Sequence, residues 1–305
     1  MWSRRSSRRA GGARLGGVGL ILLAILGCQR AASRDEGLHV IVSIYPLYDF
    51  TRQVVGDRGR VTLLVPPGIE PHDWEPAPAD VVQVRAARLV VYNGAGIDPW
   101  TEKLLGEMRT RGSRSVRATD GLDLLTTEGR PDPHVWLDPL MARLQVEAIR
   151  SALTGLDAEH AAVYDANAAA LSGHLLALHE RFARGLERCA RREIIVSHAA
   201  FAYLARRYHL TQLPVIASLA PDAEPSPAAL GTLARQARRA GVTHVFFERL
   251  VAARLADTLA REIGAATLVL DPIEGLTREM DARGATYLEL MQANLENLRT
   301  GLSCQ

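Results

Sequence analysis

No run of this 305-residue chain is apolar for long enough to cross a bilayer comfortably. The candidate, Leu15 to Leu26, falls short of the ~20 residues a spanning helix needs. No acidic residue precedes Cys28, although Arg4, Arg5, Arg8, Arg9 and Arg14 all lie there. The formal charge of +2 therefore comes from the leader; without those five arginines, 31 basic residues face 34 acidic ones. A mildly acidic body gives no electrostatic reason to expect a nucleic-acid partner. No His-Glu-x-x-His segment occurs and no general base is evident beside the histidines, which counts against a zinc hydrolase. Cysteine is scarce, with Cys189 and Cys304 the only two beyond Cys28. What is present is a 48% hydrophobic content, enough to bury a large core, in a length that suggests two lobes.

The arginines, the short apolar run and Gly27 before Cys28 form a targeting segment. Ile25-Leu26-Gly27-Cys28 resembles a bacterial lipobox, whose cysteine is lipidated and becomes the mature N-terminus. Residues 1–27 are thus expected to be a lipoprotein-type signal peptide and 28–37 a polar tether. The body would be exported, periplasmic or at the cell surface, and held to a membrane through Cys28. In an oxidising compartment Cys189 and Cys304 are an even pair, either a disulfide tying the last helix to the start of a strand or two free thiols.

Short apolar segments, His39–Ile44, Val61–Val65, Leu89–Tyr92 and Ser115–Ala118, alternate with helical stretches and predict a parallel-sheet α/β lobe over residues 38–156. From Asp157 to Arg188 the pattern changes. Leu171, Leu175, Leu178, Phe182 and Leu186 repeat at helical spacing without a proline, and Asp157 is placed to cap the start. A helix of that length spans ~45 Å and is a stiff connector. Residues 189–305 repeat the α/β layering, with strands near 193–197, 213–218, 243–247 and 267–270. The fold class is therefore α/β, two parallel-sheet lobes joined by one long rigid helix.

Ligands in such sheets sit beyond the carboxyl ends of the strands. His72 follows the second strand in Glu70-Pro71-His72-Asp73-Trp74. His134 lies between two Asp-Pro steps in Asp132-Pro133-His134-Val135-Trp136-Leu137-Asp138-Pro139, which keep it out of a helix. His198, Glu248 and Asp271 each close a strand of the second lobe. Three imidazoles and a carboxylate suit tetrahedral Zn²⁺, whereas a Mn²⁺ site would be expected to have more oxygen ligands. Asp271 is the preferred carboxylate. Glu248 is the rival, or a hydrogen-bond acceptor that orients an imidazole.

Gly68-x-x-Pro71-His72-Asp73-x-Glu75-x-x-Pro78, the Asp132–Pro139 segment and Ser197-His198-x-Ala200-Phe201-x-Tyr203 resemble signature segments of the cluster A-I (ZnuA/TroA-like) metal-binding proteins. So do Glu224-Pro225-Ser226, Phe246-Phe247-Glu248 and Leu270-Asp271-Pro272, in the same order from about residue 38 to the end. That resemblance implies the substrate-binding component of a zinc or manganese ABC importer, a monomer that serves a membrane permease. It places His72 and His134 on one side of an interlobe metal and His198 and Asp271 on the other. Manganese members usually carry Glu where His198 stands. Many zinc members have a histidine-rich loop ahead of the second histidine, and here Asp120–Pro131 has none. The expectation is capture of Zn²⁺ outside the cytoplasmic membrane. A manganese or iron carrier of the same class, a zinc hydrolase and an adhesin are the alternatives.

Overall fold

The computed structural model describes residues 37–108, 114–127, 129–221, 225–250 and 254–305. Cys28, the leader, the tether up to residue 36 and Glu224 lie outside the described residues. The first lobe is built on β1 (Leu38–Val42), β2 (Gly59–Leu63), β3 (Leu89–Tyr92) and β4 (Arg114–Arg117), all parallel in the order β2-β1-β3-β4. Helices α1 (Tyr45–Val55), α2 (Pro78–Ala86) and α3 (Pro99–Met108) connect them. A two-stranded ribbon of β5 (Thr126–Thr127) and β6 (Arg130–Pro131) precedes α4 (Pro139–Leu156). After α5 (Ala161–Gly185) comes the second sheet, of β7 (Glu193–His198), β8 (Thr211–Ile216), β9 (His244–Phe247) and β10 (Ala266–Val269). Its strands are also parallel, in the order β10-β9-β7-β8. Helices α6 (Ala202–Tyr208), α7 (Pro227–Arg239), α8 (Arg254–Ile263), α9 (Arg278–Ala282) and α10 (Tyr287–Leu302) complete it. Pro214 is tolerated in β8 because that strand is an edge.

The period-2 alternation of a strand assigns each sheet's two faces to different cores. Val40 and Val42 of β1, Leu89 and Val91 of β3, and Ile194 and Val196 of β7 all belong to one central cluster that also takes in α5 and α10. Ile41 and Val90 face an outer cluster with Val84 and Leu105, and Ile195 faces another with Val245 and Leu259. The central core therefore runs through both lobes without interruption.

The long helix differs from the sequence expectation in its start and in its surroundings. Asp157 does not cap it: its N–H closes α4 on Leu153 O, and its carboxylate accepts from Tyr164 Oη at 2.6 Å. A short 3₁₀ turn, Ala158–His160, then leads into α5. Its 25 residues span about 37 Å. Its apolar stripe, from Tyr164 through Leu171 and Leu178 to Phe182, is buried against α1, α4 and α10. A helix embedded along both lobes resists hinge motion more than an isolated strut would.

Cys189 and Cys304 are joined in a disulfide that closes a sequence separation of 115 residues just beyond α5 and α10. Among the described residues no helix is long and apolar enough to cross a membrane.

Candidate metal centre

His72 is carried by the Pro71–Asp73 3₁₀ turn, where the Glu70 carboxylate accepts its backbone N–H at 3.3 Å. Proline at the turn's first position supplies the required φ and has no N–H to leave unpaired. His134 is fixed by Asp132, whose Oδ1 takes both the backbone N–H at 3.0 Å and ring Nδ1 at 2.7 Å. His198 ends β7, and Glu248, just past β9, lies 2.8 and 2.9 Å from its Nδ1 through the two carboxylate oxygens. In both pairs the Nδ1–H is donated to a carboxylate, which leaves the Nε2 lone pair free to point away from it.

The free edges converge. Ring centroids of His72, His134 and His198 are 5.7, 6.0 and 5.4 Å apart. The fourth group is Glu274: Oε1 lies 3.0 Å from His134 Nε2 and 3.3 Å from His198 Nε2, and Oε2 lies 3.7 Å from His72 Nε2. One donor atom from each of the four residues lies within 4.8 Å of the others. Despite that proximity, the three Nε2 atoms and both Glu274 oxygens are buried without a hydrogen-bond partner. Five orphaned polar atoms facing one point are costly unless something outside the protein satisfies them. Three nitrogen donors and one carboxylate are a donor set for a tetrahedral divalent cation.

Asp271, preferred on sequence as the carboxylate, does not join this group. Its Oδ1 accepts from Ile273 N at 2.8 Å and its Oδ2 faces Arg249 Nε at 3.5 Å. Burial pushes its carboxyl up to about 6, the Ile273 N–H and Arg249 offsetting only part of the effect. The choice rested on which residue closes the last strand. The chain instead passes Pro272 and turns at Ile273 in the left-handed region, φ +59°, which brings Glu274 inward. Spacing alone gives no sign of that turn; the signal available was a second acid three residues beyond Asp271. Glu248 takes the orienting position rather than a place among the converging donors.

Electrostatics at the centre are tightly balanced. Burial disfavours ionisation of Glu274, but the three histidines outweigh it and hold its carboxyl well below the usual range. Burial also opposes charge on His134 and His198. For His134 the carboxylates of Asp132 and Glu274 prevail, for His198 those of Glu248 and Glu274, and both rings are raised. Glu70 is pushed up to about 10 by its own burial and by the negative charge of Glu274 beside it. The two neighbouring glutamates are thus pushed in opposite directions, Glu70 upward and Glu274 downward.

Six other histidines lie elsewhere. His39 meets Thr62, His160 meets Asp157, His179 meets Tyr208 and His244 meets Thr243. His209 closes α6, and His174 lies mid-way along α5.

The family described as zinc-uptake complex component A, periplasmic (ZnuA) matches residues 40–301. The high-affinity zinc uptake system protein ZnuA of Bacillus subtilis is 36% identical over 287 residues, 89% of this chain and 90% of that protein. The zinc-binding lipoprotein AdcA of Streptococcus pneumoniae is 35% identical over 92% of this chain, which spans 59% of that longer protein. In three dimensions the Zn(II)-bound ZnuA-like domain of AdcA superposes with a TM-score of 0.79 at 36% identity, covering 87% of this chain and 99% of the domain. The laminin-binding protein Lmb of Streptococcus agalactiae, described as both an adhesin and a metal transporter, superposes at 0.81 with 29% identity over 87% of this chain and 99% of its own. With a family match over nearly the whole body, two parallel sheets in the same arrangement and a converging His₃Glu set, the chain belongs to the ZnuA family.

Proposed function

We propose that this protein captures Zn²⁺ outside the cytoplasmic membrane and delivers it to the permease of an ABC importer, with His72, His134, His198 and Glu274 as the ligands. The observation that carries this reading is the set of five orphaned buried atoms, which one tetrahedral cation would satisfy together. Zinc is favoured over manganese because three of the four donors are imidazoles and only one is a hard oxygen. The names of the B. subtilis and S. pneumoniae relatives point to the same cargo.

In this reading residues 1–27 direct export, 28–37 tether the body to a membrane through lipidated Cys28, and 38–156 and 189–305 are lobes joined by the 157–188 segment. The protein acts as a monomer. Four protein donors fill a tetrahedral zinc, so no open position is left for the activated water a hydrolase needs. The adhesin alternative has support from the descriptions of structural neighbours such as Lmb, and from no residue of this site. Elemental analysis of the purified protein, with calorimetric competition between zinc and manganese, tests the reading: about one zinc per chain supports it, and preferential manganese retention contradicts it.

A further inference from the structure

We infer that Asp271 is a positioning residue that holds Glu274 in the metal site through a strained backbone at Ile273. The inference rests on the zinc-capture reading and deepens it.

Ile273 is fully buried and has a φ of +59°. For a β-branched side chain the left-handed region is an outlier that survives only where the surroundings impose it. They do so here on every side. The backbone of Asp271 is clamped by Asn294 of α10, which accepts from Asp271 N at 2.9 Å and donates to Asp271 O at 2.7 Å. Pro272 O accepts from Trp136 Nε1 at 2.7 Å, two residues past His134. Glu274 O accepts from Tyr45 N at 3.2 Å, and Leu276 O accepts from Gly68 N at 2.7 Å on the His72 loop. A Cβ on Gly275 would lie 3.2 Å from Leu250 Cδ1 and 3.4 Å from Ile69 O, so the strap is pressed between elements of both lobes.

Within this clamped strap, Ile273 N–H has the side-chain oxygen of Asp271 as its partner, 2.8 Å away. That bond bends the chain back on itself and compensates the left-handed turn. The turn aims Glu274 at three imidazoles. Without the acceptor, the Ile273 N–H loses the bond that balances its left-handed turn, the strap loosens, and Glu274 is no longer held firmly at the cation. What Asp271 supplies is thus an oxygen acceptor for one N–H, and its negative charge is not required.

The test compares zinc affinity by competitive chelator titration in Asp271→Ala, Asp271→Asn, Ile273→Gly, Asp271→Ala/Ile273→Gly, Glu274→Ala and Asp271→Ala/Glu274→Ala proteins. Metal-free melting is recorded for each as a check on folding. Asp271→Ala is expected to weaken zinc about 10- to 100-fold, the usual cost of losing an outer partner of a ligand. Asp271→Asn keeps the acceptor oxygen and is expected to bind within about threefold of wild type. Glycine adopts positive φ without strain, so Ile273→Gly should bind like wild type and restore most of the affinity lost in Asp271→Ala. Adding Asp271→Ala to Glu274→Ala should cost nothing further. Equal losses in Asp271→Asn and Asp271→Ala would mean the charge itself matters, as for a direct ligand, and would overturn the inference. So would full affinity in Asp271→Ala, or an additive loss on top of Glu274→Ala. Should Asp271→Ala fail to fold, Asp271→Leu, which keeps the side-chain shape but has no acceptor, takes its place with the same expected loss and the same overturning result. Absence of zinc binding by the wild-type protein would instead remove the function proposed above.

Discussion

His198 Nδ1 lies 2.8 Å from Glu248 Oε1, a pair in which a carboxylate just past the end of β9 fixes the orientation of an imidazole at the end of neighbouring β7. The same bond raises the electron density at Nε2 and fixes the tautomer that can bind a cation. Glu248→Ala is therefore expected to weaken zinc about 10- to 100-fold while leaving all four converging residues in place. Asp132→Ala should do the same through His134. Calorimetric titration of both variants checks this; unchanged affinity would show that packing alone orients the rings.

The raised imidazoles give a pH dependence of definite sign. His134 and His198 hold their protons above the ordinary histidine range because neighbouring carboxylates outweigh burial. In the metal-free protein that stabilisation is complete below the unfolded value and is lost as pH rises through the raised folded values. Zinc requires neutral rings, so its apparent affinity should fall as pH is lowered through the same raised values, starting above the usual imidazole range. Titrations between about pH 8 and pH 6, in buffers of different ionisation enthalpy, should show proton release on binding. A flat profile would contradict the assignment of these rings as ligands.

The Cys189–Cys304 disulfide closes a separation of 115 residues, which includes the whole second sheet. Reduction, or Cys189→Ser/Cys304→Ser, should lower stability by about 2–5 kcal/mol. His198 and Glu274 lie within the bridged span, but Glu248 and the Tyr45 N–H hold them rather than either cysteine, so zinc affinity should stay within severalfold of wild type. Thermal unfolding with and without reductant, alongside zinc titration, separates the two effects.

Trp136 is completely buried, and its Nε1–H bonds Pro272 O across the lobes. Trp136→Phe keeps most of the ring but leaves that carbonyl unpaired, at an expected cost of about 1–3 kcal/mol. Because Pro272 belongs to the strap that carries Glu274, a faster zinc off-rate should accompany the loss. Stopped-flow chelation by a chromophoric chelator reads the rate directly.

Much of this architecture is legible in the order of residues. Apolar segments such as Leu89–Tyr92 announce buried parallel strands, and the leucine spacing from Leu171 to Leu178 announces α5. The three histidines stand out because each follows a strand in a segment where proline or a strand end keeps the backbone out of a helix. Tertiary context decides the rest. Asp157 looks like a helix cap, yet the tighter turn through His160 makes it the end of α4. Glu274 could not be chosen over Asp271 from spacing, since the selection depends on one buried isoleucine taking a conformation its side chain disfavours. The continuity of the core across both lobes was likewise out of reach, being a property of which faces α5 and α10 cover.

X-ray absorption at the zinc edge of the zinc-loaded protein tests the central claim most directly. The expected spectrum shows about four light-atom neighbours near ~2.0–2.1 Å, with the multiple scattering of three imidazoles and one oxygen donor. That pattern should lose one imidazole in each of His72→Ala, His134→Ala and His198→Ala, and the oxygen donor in Glu274→Ala. A six-coordinate, oxygen-dominated shell, or an imidazole count unchanged by these substitutions, would contradict the account.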